Sequence, residues 1–279
     1  MIRNQTNVEA NVEVIVERNT MRLSTIAAGI LTVGIGFIFL FAQKTPAQGT
    51  ELLVVVSDGM KPSVEELVPQ IENSIGRKLT IDFNSSKALR EKIQSGEPFD
   101  AAILTSEIID DLIKQGKIAA GTRTDLARTG MGVGVRAGAP KPDVSIPYAL
   151  KRALLSAKSI TFNPIGASAP HVHEIFEHLG IAEDVKSKLL LDPNGEPGRP
   201  QMDVAAGKAE IVITLIPEIK FFKGVELAGP IPAELQSYIS FAAGVATNSH
   251  NADAAKALIK FIISPAAAQT LKAKGVEPR

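Results

Sequence analysis

Short apolar segments alternate with segments of helical period over residues 52–113, and this alternation restricts the chain to few folds. The run 52–56 is followed by the turn Asp58-Gly59 and then by apolar residues at helical spacing from Val64 to Ile71. Two more units repeat the plan, with strands predicted over 79–83 and 99–104. Such repetition predicts strand-helix-strand units in parallel sheets, so the fold class is predicted to be α/β.

The alternation of strands and helices is interrupted at residues 138–147, which carry three prolines and follow a strand predicted at 131–135. Prolines interrupt helices and strands, so we expect the chain to cross into a second lobe here. The elements predicted later are helices at 148–155, 170–179, 252–262 and 265–274 and strands at 159–162, 211–214 and 237–245. The pattern predicts lobe one at about 50–130 plus 237–279 and lobe two at about 131–236.

The N-terminal region predicts export. Residues 26–42 form an uncharged apolar run preceded by Arg22, which is typical of a signal peptide. Small residues follow this run, and cleavage after Ala47 is preferred over cleavage after Gly49. An uncleaved anchor stays open, because 17 apolar residues are at the lower limit for crossing a bilayer about 30 Å thick.

Residues 1–47 are therefore interpreted as an N-terminal extension and signal peptide, and residues 48–279 as the exported domain. Met21 is an alternative start, because the acidic stretch before it is unlike the basic segment that normally precedes a signal peptide. In either case we expect a periplasmic or extracytoplasmic location, with the domain anchored in the membrane if the segment is not removed.

The charge balance and the absence of cysteine exclude several classes of protein. Thirty basic and thirty acidic residues leave no net charge, so no nucleic-acid partner is expected. Without cysteine there is no disulfide, thiolate metal site or cysteine nucleophile. No cofactor is expected.

Turns between strands and helices are the candidate binding positions. In an open α/β sheet, ligands bind beyond the carboxyl ends of the strands. Helix N-termini carry unpaired N–H groups and partial positive charge, and so accept anions. The residues that we predict to bind a small anionic ligand from these turns are Ser57, Asp58, Gly59, Met60, Ser85, Ser86, Lys87, Ala167 and Ser168. Each serine taken singly is better explained as a helix cap, and it is their joint placement at these turns that favours a binding site.

Signs of catalysis are few. No serine lies in a G-x-S-x-G motif. His171, Glu174 and His178 share one helix face and form a candidate metal site. The opposite face is apolar, which favours solvated histidines, and it consists of Val172, Ile175, Phe176 and Leu179. We therefore expect no metal site, no catalytic residue and no enzymatic activity.

Several longer segments carry a family resemblance. They are LLVVVSDGMKPSVEELVPQIE at 52–72, FNSSKALREKIQSGEPFDAAILTS at 83–106, DDLIKQGKI at 110–118 and KALIKFIISPAAAQTLKAKG at 256–275. With these segments the chain resembles the periplasmic molybdate-binding proteins of ABC importers, within the type 2 periplasmic solute-binding superfamily. The resemblance implies a two-lobed fold with a ligand cleft between the lobes, an ABC permease in the membrane as partner, and a monomer.

The resemblance also implies a site for a tetrahedral oxyanion, held by backbone N–H groups and hydroxyls. The family serine of the second turn falls on Ser86. The serine of the first turn falls on Gly59, with Ser57 nearby, and the family tyrosine of the second lobe falls on Leu215. Two hydroxyl donors are missing, so we expect weaker binding of molybdate or tungstate than in closer relatives.

Two cations are candidates to favour a larger or more highly charged anion. Lys87 adjoins the second turn, and Arg199 lies in the loop PNGEPGRP.

The leading hypothesis is a binding protein of an ABC-type importer for a small molybdate-like oxyanion. The alternatives are a binding protein that senses another small solute and a metal-dependent enzyme built around His171.

Overall fold

The computed structural model describes residues 51–279. The predicted signal peptide and both candidate start residues lie outside the described residues. Among residues 51–279, no helix combines the length and the apolar character that crossing a bilayer requires.

The first part of the fold contains the three predicted strand-helix units. It consists of β1 (Leu52–Ser57), a 3-10 turn (Asp58–Met60), α1 (Lys61–Ile75), β2 (Leu79–Asn84), α2 (Ser86–Ser95), β3 (Ala101–Thr105) and α3 (Ser106–Lys114). β1 lies in the middle and pairs in parallel with both β2 and β3. Gly76 ends α1 in the left-handed conformation at φ 68°, as its place after the helical period predicted.

The middle of the chain begins with a long strand. The elements are β4 (Thr124–Arg136), α4 (Pro147–Ser156), β5 (Ile160–Thr161), α5 (Ala169–His178), α6 (Ala182–Lys186), α7 (Arg199–Ala205), β6 (Ile211–Leu215), α8 (Ile216–Phe221) and β7 (Val225–Pro230). The last part consists of β8 (Tyr238–Val245), α9 (Ala252–Ile262), α10 (Pro265–Lys274) and β9 (Glu277–Pro278). The predicted bounds of α9 and α10 match these helices.

The strands form a continuous hydrogen-bonded path in the order β2-β1-β3-β8-β4-β6-β5, with β7 and β9 also paired to β4. β4 divides its partners along its length, since Thr124–Gly130 pairs with β8 and Met131–Arg136 pairs with β6 and β7. We call β1, β2, β3, β8, β9 and the first half of β4 the first sheet section, and β5, β6, β7 and the second half of β4 the second sheet section. The predicted lobe boundaries stay predictions.

The expected parallel pairing holds for only part of the described strands. β8 runs antiparallel to β3 and to β4, and β4 runs antiparallel to β6 and β7. The physical reason is the path of the chain: β4 leaves the first sheet section and β8 returns to it, so the two strands run in opposite directions. Only the β1–β2, β1–β3 and β5–β6 pairs among the described strands keep the parallel arrangement of strand-helix-strand units.

Helices cover the sheet and bury its apolar side chains. Leu67 and Ile71 of α1 are fully buried, as are Leu258 and Ile262 of α9 to within 1%. Helix α5 buries the apolar face that the sequence predicted, and its histidines lie toward the surface. This packing holds the strand-to-helix turns at fixed positions.

Candidate ligand-binding site

A cavity of about 190 Å³ is lined by turns from both sheet sections. From the first section come Ser57 and Asp58, which end β1 and begin the 3-10 turn, and Ser85 and Ser86 at the start of α2. From the second section come the turn before α5, the end of β6 and the start of α8. This is the arrangement expected for ligands at strand ends in α/β sheets.

One wall of the cavity is formed by two helix N-termini. Ser85 caps α2, because its Oγ accepts a hydrogen bond from the N–H of Ala88 at 3.2 Å. The hydroxyl oxygen of Ser86 accepts from the N–H of Thr105 at 3.1 Å, so its own proton remains available as a donor. Ser168 precedes α5 and makes no capping hydrogen bond through its side chain. The start of α2 therefore offers N–H and hydroxyl donors to the cavity, and the turn before α5 offers the hydroxyl of Ser168. The N–H of Ala169 at the start of α5 is donated to the carbonyl of Gly166.

Two carboxyl groups, Asp58 and Glu218, also line the cavity. Burial raises the pKa of Asp58 to about 6, with Lys61 opposing the rise and Asp82 adding to it. Burial likewise raises the pKa of Glu218 to about 7, a hydrogen bond from Thr214 opposes the rise, and the charge of Asp58 adds to it. Both groups therefore change charge near neutral pH, which is unusual for carboxyls.

Glu218 is held by two side chains of the second sheet section. The hydroxyl of Thr214 donates to its Oε2, and Nε2 of Gln201 donates to the same oxygen at 3.4 Å. The side chain of Gln201 is only 5% exposed, and its Oε1 has no hydrogen-bond partner among the described residues. The amide group of Gln201 thus donates one hydrogen bond and accepts none, which is uncommon for a buried polar group.

The structure places the predicted site residues in two groups. Seven lie on the cavity wall: Ser57, Asp58, Ser85, Ser86, Ala167, Ser168 and Leu215. The other four, Gly59, Met60, Lys87 and Arg199, do not line it. Contact of any of the eleven with a ligand stays a prediction.

The four residues outside the cavity have identifiable surroundings. Gly59 and Met60 are buried behind the cavity wall. Lys87 lies on a neighbouring, shallower depression together with Arg90 and His173. Arg199 begins α7, and its guanidinium is paired with Asp203 at 3.1 Å and with Glu196 at 3.5 Å.

Sequence reasoning missed five polar residues of the cavity: Lys61, Asn163, Gln201, Thr214 and Glu218. Glu218 lies in the first turn of α8, directly after β6, and Pro217 marks that helix start. The same strand-to-helix logic that selected Asp58 could have found it. The sequence prediction ended the strand at Thr214 and did not recognise the short helix that follows.

Gly59 packs tightly against two side chains of other elements. A Cβ built at this position would lie 2.6 Å from Cδ1 of Leu215 and 2.6 Å from Cζ of Phe241. These distances are far below van der Waals contact, so the position accepts glycine alone while its neighbours stay in place. The two positions where the resemblance predicted missing hydroxyls, Gly59 and Leu215, are therefore in direct contact.

The candidate metal residues on α5 form an ordinary surface pair. Nδ1 of His171 lies 2.9 Å from Oε2 of Glu174, and His178 is exposed. Within residues 51–279, no group of three or more histidine or acidic side chains is placed to hold a metal ion.

The fold is that of a two-lobed solute-binding protein, and the family comparison agrees. The chain belongs to the bacterial extracellular solute-binding proteins, whose family model matches residues 52–277. This confirms the predicted fold class and the predicted family resemblance.

Individual relatives differ in their described activities. An aconitate isomerase from Pseudomonas sp is 28% identical over 262 residues, covering 92% of this chain and 97% of that protein. The molybdate-binding protein ModA from Azotobacter vinelandii is 27% identical over 236 residues, covering 82% of this chain and 90% of that protein. The solved structure of the periplasmic molybdate-binding protein of A. vinelandii has a TM-score of 0.68 at 19% identity, covering 81% of this chain and 98% of the other.

Proposed function

We propose that this protein is the extracytoplasmic binding component of an ABC-type importer and that it holds a small oxyanion between its two lobes. The observation that carries the proposal is the cavity where the starts of α2 and α5 meet. The start of α2 contributes N–H groups with partial positive charge, Ser168 contributes a hydroxyl from the turn before α5, and Lys61 adds a full charge at the same cavity. The similarity to molybdate-binding proteins supports an inorganic oxyanion of this kind.

In this proposal residues 1–47 direct export, and the lobes at about 50–130 plus 237–279 and at about 131–236 close on the anion by hinge motion. The closed form then docks on a membrane permease. Mass spectrometry of the exported protein tests the first step: a mature N-terminus at Gln48 supports cleavage after Ala47, and an intact chain supports a membrane anchor.

Anion binding is tested by titrating the exported protein with molybdate, tungstate, sulfate and phosphate in a thermal unfolding assay. A ligand at 100 times its dissociation constant stabilises the folded state by about 2.7 kcal/mol. We expect Ser168→Ala to weaken the bound anion about three- to tenfold, because it removes a hydroxyl at the cavity wall that caps no helix. Ser187→Ala, at an exposed serine, is the matched control. Stabilisation by no anion would contradict the proposal.

A second candidate is catalysis of proton transfer on a small unsaturated carboxylic acid. Two observations favour it: the similarity to an aconitate isomerase and the presence of two carboxyls whose pKa values lie near neutrality. A general base works best when its pKa is near the operating pH. Asp58 and Glu218 would then remove and return a carbon-bound proton.

The test is incubation of the exported protein with trans-aconitate in D₂O, followed by NMR for the cis isomer and for deuterium at carbon. Asp58→Asn and Glu218→Gln should each abolish turnover while leaving the folded structure intact. Equal rates in the variants and the wild type, or no turnover above the blank, would remove this candidate.

A further inference from the structure

The cavity holds two carboxyl groups that come from different sheet sections. Asp58 begins the 3-10 turn after β1, and Glu218 lies in the first turn of α8 after β6. Both residues line the cavity and are half-buried, and the charge of Asp58 acts on Glu218. An ion bound in the cavity therefore lies in the electric field of both carboxyls.

Positive charge at the cavity offsets only one of these carboxyls. Lys61 is the one cationic side chain that lines the cavity within residues 51–279, and its Nζ also lies 3.7 Å from Oε1 of Glu65. When both acids are ionised, two carboxylates against one ammonium group leave the lining with an excess of negative charge. Water is partly excluded from such a cavity, so this charge repels a bound oxyanion more strongly than it would in bulk solvent.

Neighbouring charged groups do not supply the missing positive charge. Asp82 adds negative potential at Asp58, although it is itself paired with Lys92 at 2.6 Å. Charged side chains on the elements that pack against α8 form ion pairs of their own: Lys274 of α10 with Glu66 of α1, Glu226 of β7 with Lys141, and Arg128 of β4 with Glu277. Lys220 of α8 donates to a backbone carbonyl of α10, and Arg136 of β4 lines a different depression. No histidine of the described part of the chain lines the cavity.

Protonation of a carboxyl removes the repulsion and adds a hydrogen-bond donor. A neutral carboxylic acid carries an O–H group that donates to an oxyanion, whereas a carboxylate only accepts. Burial already raises the pKa of Asp58 to about 6 and that of Glu218 to about 7, so the pair exchanges protons near neutral pH. A bound anion favours the protonated form further, and by thermodynamic linkage the protonated form binds the anion more tightly.

We propose that the protein binds its anion together with a proton, which the carboxyl pair Asp58 and Glu218 takes up from solvent. The proton passes from the buffer to a carboxylate oxygen, so no other co-reactant is needed. This inference rests on the proposed anion-binding function and adds its regulation by pH. Capture of the anion is strong in acidic surroundings and weak in alkaline ones.

The experiment is isothermal titration calorimetry of the full-length gene product, purified as the host processes it, with sulfate and with molybdate as probes. Both probes remain dianions near neutral pH, so a proton taken up on binding belongs to the protein. We expect the dissociation constant to rise about five- to tenfold for each pH unit above about 7, because uptake of one proton per anion corresponds to a factor of ten.

Proton uptake is measured directly from the dependence of the binding enthalpy on the buffer. Tris and triethanolamine differ in their ionisation enthalpies, and neither is an anion that competes for the site. At about pH 8 we expect roughly one proton to be taken up for each anion bound.

Variants assign the proton to the two carboxyls. Glu218→Gln should bind both anions more tightly than the wild type at about pH 8, because it removes a negative charge from the cavity. The double variant Asp58→Asn and Glu218→Gln should lose the pH dependence and the proton uptake. Glu91→Gln, at an exposed carboxyl, should keep the wild-type profile.

Three results would overturn the inference. An affinity that does not change with pH, or an enthalpy that does not depend on the buffer, would contradict the coupled proton and leave anion binding intact. Proton uptake that persists in the double variant would remove the role of Asp58 and Glu218. Binding of neither anion would contradict this inference and the proposed function together. The wild-type measurements decide the first point even if the double variant fails to fold.

Discussion

Replacing Glu218 with glutamine should stabilise the protein at alkaline pH. The pKa of Glu218 rises from 4.5 to about 7 because burial disfavours its charged form. The folded state thus retains a proton that the unfolded chain releases. The contribution of Glu218 to the free energy of unfolding must therefore fall as the pH rises from about 4.5 to 7, and this contribution must be constant above that range.

The size of the effect follows from the width of this window. At about 1.4 kcal/mol for each pH unit, the buried charge costs on the order of 3 kcal/mol above pH 7. Glutamine carries no charge, and its side-chain oxygen can still accept from Thr214 and Gln201. Glu218→Gln should match the wild type near pH 4.5 and exceed its stability by up to about 3 kcal/mol at pH 8.

Urea unfolding across this pH range, in buffers free of candidate ligands, measures the difference. Glu91→Gln serves as the control, since Glu91 is exposed and its replacement should leave the wild-type profile unchanged. Parallel profiles for Glu218→Gln and the wild type would refute the reasoning, because they would mean that Glu218 is not destabilised by its surroundings.

Three further predictions follow. Leu67→Ala should lower the free energy of unfolding by about 2–5 kcal/mol in urea titrations, because Leu67 is fully buried; a smaller loss would indicate a loosely packed α1. The double variant His171→Ala and His178→Ala should keep wild-type stability within about 0.5 kcal/mol and wild-type zinc content by elemental analysis, as expected for surface residues; loss of bound zinc would contradict this. Gly59→Ala should cost about 1–3 kcal/mol through overpacking, and adding Leu215→Ala should cost less than the sum of the two changes; strictly additive losses would argue against the contact.

Much of the secondary structure followed from the sequence pattern. Apolar residues at helical spacing located α1, α9 and α10, and uninterrupted apolar runs located β1 and β3. β4 was underestimated: the apolar run covers its second half, while Asp125 and Arg128 expose one side of its first half and hide the strand from a search for apolar runs. β7 was not predicted, because it pairs only with β4, is half-buried and includes Gly229 and Pro230.

The candidate site was predictable as far as strand-to-helix turns could be recognised. Ser57, Ser85 and Ser168 were selected on this basis, and all three line the cavity. Glu218 was missed because the helix start at Pro217 was not recognised, whereas Gln201 was not selected because its importance comes from burial beside Glu218, 17 positions away in the chain. Burial of this kind depends on tertiary packing and leaves no local periodic signal.

The contact between Gly59 and Leu215 constrains how the site can change by mutation. A serine at position 59 needs space that Cδ1 of Leu215 and Cζ of Phe241 now occupy, so the hydroxyl that the family resemblance implies for this turn cannot be introduced there by itself. The side chain at position 215 must become smaller or turn away, and the ring of Phe241 must shift, before that exchange is tolerated. The order of the two substitutions is thus imposed by packing, and a library that varies both positions together can reach sequences that stepwise selection at position 59 cannot.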